Sequence, residues 1–256
     1  MSDADLAERV ARGDPERWRS AMTAPPPARP GLMALYAFNL EIARAPWAAS
    51  QPMIAAIRLR WWIDAIAEIY DGAVPRRHEV VEPLAEVIRA GDLPRRLFEE
   101  MIVARESDAD AAPLADRAAV DLYLDHTAGH LMEVAARHLG AEGGALPVVR
   151  DFARGAGTAA LLRALPDLRA RGRDPLPADV AVDALARDGL AAIARARARR
   201  ARVPSSATAA LLPGWQADRV LRRAAADASA VRPGGLEVAP ARARASLLWR
   251  GLSGRW

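Results

Sequence analysis

Cysteine and lysine are both absent from this 256-residue sequence, in which all 36 basic residues are arginine. Without cysteine the chain has no disulfide, no thiolate nucleophile and no cysteine metal site, and nothing indicates an oxidising compartment. Without lysine, Schiff-base chemistry and the lysine of a phosphate-binding P-loop are excluded. Enzyme classes that depend on either side chain are therefore ruled out.

Long apolar runs are missing as well. No stretch reaches the roughly 18 apolar residues of a transmembrane helix, and the acidic start at residues 1–8 lacks the apolar centre of a secretory signal. We therefore expect a cytoplasmic protein, with peripheral attachment to the inner face of a membrane as a possibility that the sequence leaves open.

The residues that are present favour helices throughout. Hydrophobic residues make up 52% of the chain, alanine and arginine dominate, and alternating β-branched or aromatic patterns are scarce. A chain of this length can bury one large core. The sequence predicts an all-α, single-domain helical bundle without a sheet.

Proline and glycine divide the chain into segments. Pro25 to Pro27 and Pro30 separate an N-terminal helix and proline-rich lead-in, residues 1–30, from a helical domain, residues 31–256. Within that domain the apolar periodicity and the punctuating residues predict helices at 31–44, 53–70, 79–90, 93–106, 113–139, 146–165 and 178–202.

Positive charge is concentrated in the C-terminal region, residues 187–256. This region holds 14 arginines against four acids, a local charge of +10. It predicts either a surface for an anionic partner, such as lipid headgroups or a diphosphate, or a solvated arginine-rich helix. No nucleic-acid-binding module is recognisable, so we expect no nucleic acid partner.

The last ten residues, 247–256, combine leucine, arginine and two tryptophans. This mixture is typical of an anchor at a membrane interface. The alternative is a short helix that packs onto the core.

Acidic side chains recur on the helix predicted at 53–70. Arg60, Asp64, Glu68 and Asp71 follow one another at i, i+4, i+8 and i+11, which places them on roughly one face. Two such carboxylates could bind Mg²⁺ together with a diphosphate, because Mg²⁺ prefers oxygen ligands. The alternative is an exposed row of arginine–carboxylate pairs, each of little energetic value.

A histidine pair marks a second candidate cluster. His126, His130 and Glu133 lie at i, i+4 and i+7 of one helix, a spacing at which two imidazoles and a carboxylate can hold one metal ion. No second histidine–carboxylate pair completes a di-metal site. We expect no metal here and interpret the histidines as partly buried residues bonded to their neighbours.

Four segments, in order, resemble the squalene/phytoene synthase family. Residues 31–38, which end in Tyr-Ala-Phe, are similar to the start of the family's first active-site helix. Residues 57–66 resemble its "R-L-x-W-W" helix, residues 123–129 its tyrosine-to-Ala-Gly segment, and residues 155–177 its second active-site helix and the turn that follows. The resemblance implies an isoprenoid-synthase-type bundle around a central cavity.

The resemblance also implies a chemistry, for which this chain lacks most of the residues. Members of the family join two prenyl diphosphates head to head, using two aspartate-rich motifs that hold Mg²⁺ against the leaving diphosphate. At the first motif this chain has Ala43, Arg44 and Trp47. At the second motif only Asp167 survives, and Pro166 is expected to end the helix that presents it.

Residues 37–41 and 161–166 further resemble a divergent branch of the family that includes an assembly factor for respiratory complex I. We therefore expect a non-catalytic binding or assembly factor with no cofactor, a respiratory-complex partner, and a prenyl or other lipid-like ligand. The candidate substrate-binding residues are Arg58, Arg60, Arg163, Arg171 and Arg173.

The alternative is a Mg²⁺-dependent prenyl transferase in which Asp64, Glu68 and Asp167 form an unusual metal site. The two interpretations differ in one structural feature. Four or more carboxylates converging in the central cavity would favour the enzyme.

Overall fold

The computed structural model describes residues 3–48, 52–91, 93–237, 246, 249–250 and 255–256. All regular structure in these ranges is helical, which confirms the predicted all-α class. None of the helices among these residues is long and apolar enough to cross a bilayer. The helices are α1 (Asp3–Gly13), α2 (Pro15–Ala21), α3 (Arg29–Arg44), α4 (Pro52–Tyr70), α5 (Val81–Gly91), α6 (Arg95–Ala104), α7 (Arg117–Leu124), α8 (His130–His138), α9 (Leu146–Ala170), α10 (Val182–Ala198), α11 (Thr208–Leu211) and α12 (Ala217–Ala226).

Helix α3 lies at the centre of the bundle. Every residue from 31 to 40 is buried, so this helix is enclosed on all sides, as its apolar composition requires. Phe38 packs edge-on against Trp62 of α4, with ring centroids 5.4 Å apart, and lies 5.6 Å from Phe98 of α6. These aromatic contacts fix α4 and α6 against α3.

The N-terminal helices pack onto this centre. Leu6 and Val10 of α1 are almost fully buried and belong to the same hydrophobic core as α3. Asp14 caps α2, because its carboxylate accepts a hydrogen bond from the backbone N–H of Arg17 at 3.0 Å. Helix α2 is thereby set beside the residues that enclose the central cavity.

Helix α9 continues through Pro166, and the expectation that this proline ends the helix is wrong. The helix runs from Leu146 to Ala170 with Pro166 inside it. A proline within a helix removes one backbone hydrogen bond and costs about 3 kcal/mol. Neighbouring Leu162 and Leu165 are fully buried, and this packing offsets the penalty.

Helices α9 and α10 cross at very short distance, and Gly155 makes the approach possible. A Cβ atom at this position would lie 2.4 Å from Cγ1 of Ile193 and 2.6 Å from the backbone oxygen of Gly189. Since one of these atoms is backbone, the two helices would have to move apart to admit a methyl group.

The described part of the C-terminal segment packs partly onto the core. Trp256 is buried, and its ring lies 4.8 Å from that of Phe152, as in the core-packing alternative. Trp249 is 67% exposed. Residues 247, 248 and 251–254 lie outside the described residues, so the interfacial-anchor prediction stands untested for them.

Replacing Gly155 by alanine is expected to lower the free energy of unfolding by about 1–3 kcal/mol, because the new methyl group overpacks the α9–α10 crossing. Urea unfolding followed by circular dichroism measures this change. Gly144→Ala is the matched control, since its nearest neighbour would lie 3.9 Å from the new Cβ, and it should shift stability by less than about 0.5 kcal/mol. Equal effects of the two variants would contradict the close crossing.

Candidate functional site

The central cavity lies between α2, α3, α8 and α9 and has a volume of about 450 Å³. Helix α8 and the turn before it present Ala128, Leu131 and Met132 to it, and α9 contributes Ala156, Gly157 and Ala160. Charged residues also line it, namely Asp14, Glu16, Arg17, Arg163, Asp167, Arg232 and Glu237. The cavity thus combines a mainly apolar wall with seven charged side chains.

Several of these charges compensate each other. Arg163, a predicted substrate-binding residue, donates a hydrogen bond of 3.1 Å to Glu16, which also accepts one from Gln216. Asp14 forms an ion pair with Arg17. Burial acts to raise the pKa of Asp14, but the Arg17 guanidinium outweighs it and holds that pKa below its usual value.

Tyr36 lines the cavity, and its hydroxyl oxygen is buried. The residue is only 2% exposed, and its hydroxyl oxygen has no hydrogen-bond partner among the described residues. Burial raises the pKa of Tyr36 far above its ordinary value, so the side chain stays a neutral hydrogen-bond donor.

The carboxylates of the cavity do not fit a Mg²⁺ site. Four of them line it, namely Asp14, Glu16, Asp167 and Glu237, but the first two are bonded to arginines and the last two are exposed. Within the described residues, the one group of three ligand side chains close enough to share an ion lies elsewhere. The cavity therefore lacks the convergent acids that neutralise a leaving diphosphate.

The carboxylates of α4 form the row of ion pairs that the sequence leaves as an alternative. Asp64 lies 2.9 Å from Arg60, Glu68 lies 2.7 Å from Arg76, and Asp71 lies 3.0 Å from Arg95. The hydrogen bond from Arg76 holds the pKa of Glu68 below its ordinary value. None of these acids lines the cavity. Of the three residues considered for an unusual metal site, only Asp167 lies there, and Asp64 and Glu68 do not.

Trp47 occupies a position at which the resemblance implies an aspartate. The guanidinium carbons of Arg171 and Arg173 lie 5.4 and 5.3 Å from the centre of its ring, within the range of cation–π attraction. Trp47 follows α3, whereas both arginines follow α9. Direct stacking, which we name the arginine–tryptophan clamp, thus joins the two segments that in the family's enzymes are joined through metal and diphosphate.

Arg173 is also bound from its other side by a buried polar network. Its guanidinium donates to Asp108 at 3.1 Å, and Asp108 in turn lies 3.1 Å from Arg105 and accepts from the hydroxyl of Tyr123 at 3.0 Å. Arg105 reaches Asn39 of α3 at 3.4 Å. Burial raises the pKa of Tyr123 to about 12, so it remains a donor. This Asp108 network ties five segments together.

The remaining predicted arginines lie apart from the cavity. Arg58 is exposed and lines a groove beside Trp61, and Arg60 is paired with Asp64. Of the five predicted substrate-binding residues, the structure places Arg163 at the cavity and Arg171 and Arg173 at the clamp.

The histidine pair acquires a different carboxylate from the one predicted. Nε2 of His130 lies 2.5 Å from Glu100 of α6, and Nε2 of His126 lies 3.7 Å from the same oxygen. Glu133 instead pairs with Arg137 at 2.9 Å and with Arg150 at 3.2 Å. The structure thus places Glu100 beside the histidine pair in place of Glu133, and no local spacing in the sequence indicates this partner because it lies on another helix.

Both ring nitrogens of His130 form hydrogen bonds. Arg150 approaches Nδ1 at 2.5 Å, and since arginine only donates, Nδ1 must accept and Nε2 must carry the hydrogen that is donated to Glu100. A metal would need the lone pair of Nε2. The cluster, which includes a π-helical turn at Asp125–Gly129, therefore fits a structural polar network better than a metal site.

The comparison with known families gives a match over nearly the whole chain. The family model described as squalene/phytoene synthase matches residues 10–255. Among solved structures, a dehydrosqualene synthase in complex with a ligand superposes with a TM-score of 0.80 at 14% identity, covering 98% of this chain and 95% of its own. A squalene synthase from Alicyclobacillus acidocaldarius gives a TM-score of 0.69 at 16% identity, covering 91% and 94%. At these identities the superpositions show the fold.

Relatives with assigned names point to one subgroup. A protein of Dictyostelium discoideum named NADH dehydrogenase (ubiquinone) complex I, assembly factor 6 homolog is 30% identical over 137 residues, which cover 53% of this chain and 38% of that protein. The assembly factor 6 of Bos taurus is 25% identical over 180 residues, covering 70% and 54%. The chain thus spans about half the length, or less, of these relatives.

The buried state of His130 predicts a pH dependence of stability. Burial keeps the pKa of His130 below the value of 6.5 expected in the unfolded chain. It outweighs the hydrogen bond to Glu100, which acts to raise this pKa, and the nearby Arg150 lowers it further. Below about pH 6.5, His130 is therefore protonated in the unfolded state but stays neutral in the folded state. As the pH decreases, this group lowers the free energy of unfolding by up to about 1.4 kcal/mol per pH unit.

Urea unfolding at pH 7.5 and 5.5 tests this expectation. The wild-type protein should lose more stability between the two values than His130→Gln, in which the titrating group is absent. An equal loss of unfolding free energy in both proteins would show that the pKa of His130 is not lowered in the folded state.

Proposed function

The chain belongs to the squalene/phytoene synthase family, and we propose that it uses that fold as a non-catalytic assembly factor for a membrane respiratory complex of the complex I type. One observation carries the proposal: Trp47 and Arg171, at positions where the resemblance implies metal-binding aspartates, take part with Arg173 in the arginine–tryptophan clamp. The names of the relatives, assembly factors for complex I, support the choice of complex.

The physical argument concerns the leaving group. Ionising an allylic diphosphate requires its developing charge to be neutralised by carboxylate-held metal. Here the cavity acids are paired or exposed, and the α4 acids are bound to arginines. A prenyl transferase built on Asp64, Glu68 and Asp167 is the second candidate, and the separation of these side chains between α4 and the cavity speaks against it.

We propose that the cavity nevertheless holds a lipid-like group or an apolar segment of a subunit during assembly. Leu131, Met132 and Leu162 supply an apolar wall for it. The protein would act at the inner face of a membrane, as a peripheral protein, where the subunits of such a complex are assembled.

The first test of the proposal is chemical. Purified protein incubated with Mg²⁺ and farnesyl or geranylgeranyl diphosphate should release no pyrophosphate above background, because the convergent carboxylates are missing. A coupled phosphate assay, with an active dehydrosqualene synthase as positive control, measures this. Turnover that disappears in Asp64→Ala or Asp167→Ala would reverse the ranking of the two candidates.

The second test is genetic. Deleting the gene should lower the amount of assembled respiratory complex on native gels and reduce NADH:quinone activity, while the carotenoid and hopanoid products stay at wild-type levels. The opposite pattern, normal NADH:quinone activity with a lost isoprenoid product, would establish the prenyl transferase instead.

A further inference from the structure

Exposed large apolar side chains are concentrated where α4 begins. Trp47, Met53, Ile54 and Ile57 are 40, 68, 39 and 63% exposed. The other strongly exposed apolar residues of the described ranges, Val74, Val103, Leu122 and Trp249, are far from one another in the sequence. Single exposed apolar residues are normal on a protein surface, whereas a concentration of four within eleven residues indicates an interaction site.

This surface lies on the outward face of α4 and borders the groove beside Trp61, which Ile57 also lines. In the first two turns of α4 only Ala55 and Leu59 are buried, whereas residues 52–54 and 56–58 are all exposed. Trp47 and Pro52 are five residues apart in the sequence, a span of at most about 17 Å, so the tryptophan belongs to the same end of the molecule. We name the four apolar residues the α4 tip.

Arginines predominate around the α4 tip, because Glu41, the acid that lines the adjoining groove, is paired with Arg9. From Arg44 to Arg60 the sequence contains three arginines and no acid. Arg60 is paired with Asp64, but Arg44 and Arg58 are exposed and form no ion pair with any described residue. Arg171, also exposed, stacks on Trp47. The α4 tip is therefore an exposed apolar surface bordered by the arginines Arg44, Arg58 and Arg171, which we name the arginine rim.

We propose that the α4 tip docks onto an anionic lipid surface, with its apolar side chains among the acyl chains and its arginines on headgroup phosphates. Tryptophan and isoleucine flanked by arginine are suited to this interface, and negative lipids complement the rim. The inference rests on the proposed peripheral location and adds the surface that mediates it.

The absence of native cysteine allows a local probe. We would label Ile57→Cys and Leu122→Cys, two exposed positions on different helices, with an environment-sensitive fluorophore. Vesicles of phosphatidylcholine with one third phosphatidylglycerol should shift the emission at position 57 to the blue and raise its intensity, and leave position 122 unchanged. Phosphatidylcholine vesicles alone should change neither.

Matched charge variants complete the experiment. In vesicle flotation, Ile54→Glu/Ile57→Glu should lose at least tenfold in binding to the anionic vesicles, and Val103→Glu/Leu122→Glu should bind like the wild type. If the wild type floats but the fluorophore at position 57 shows no change in emission, another surface binds the vesicles. That result overturns the inference and leaves the proposed function intact. Equal binding to neutral vesicles overturns the role of the arginine rim.

Two further outcomes separate this inference from the proposed function. Absence of any flotation overturns both the α4 tip and the peripheral location, but leaves the assembly role to the genetic test. If Ile54→Glu/Ile57→Glu floats normally and instead loses co-purification of a respiratory subunit, the tip is a protein-binding site and the lipid assignment is wrong.

Discussion

Arg173 carries a buried positive charge, and the contact between the turn after α9 and the end of α3 follows from the need to compensate it. Removing a cation from water costs several kcal/mol unless a partner is supplied. Asp108 supplies it at 3.1 Å, Tyr123 and Arg105 hold Asp108, and the opposite side of the guanidinium faces the ring of Trp47. The turn after α9 is thereby fixed to the end of α3 without any metal or ligand between them.

This arrangement shows how the fold can persist without the carboxylates of the family's aspartate-rich motifs. The buried core around α3 and the crossing of α9 with α10 depend on apolar packing, which the loss of carboxylates leaves intact. Fold and function are separable for this reason, because function depends on a few side chains placed upon the scaffold. In this chain those positions carry an internal contact in place of metal ligands, and the cavity keeps its apolar wall.

The all-α class, the order of the helices and the loss of the aspartate-rich motifs were predictable from the sequence, because they depend on periodicity and on local matches. The contacts that shape the site were not. Glu100 reaches His130 from another helix, and Glu16, in the presumed lead-in, neutralises Arg163. The prediction that Pro166 ends α9 was wrong, because the sequence shows the energetic cost of a proline within a helix but not the burial of the neighbouring leucines that offsets it.

Complementation of a deletion strain tests the central claim most directly. The strain would receive either the wild-type gene or the triple variant Asp64→Asn/Glu68→Gln/Asp167→Asn, with matched folding verified by circular dichroism. The account predicts that the triple variant restores the assembled respiratory complex to the wild-type level, because these acids serve no chemistry. A folded triple variant that fails to restore the complex would contradict it.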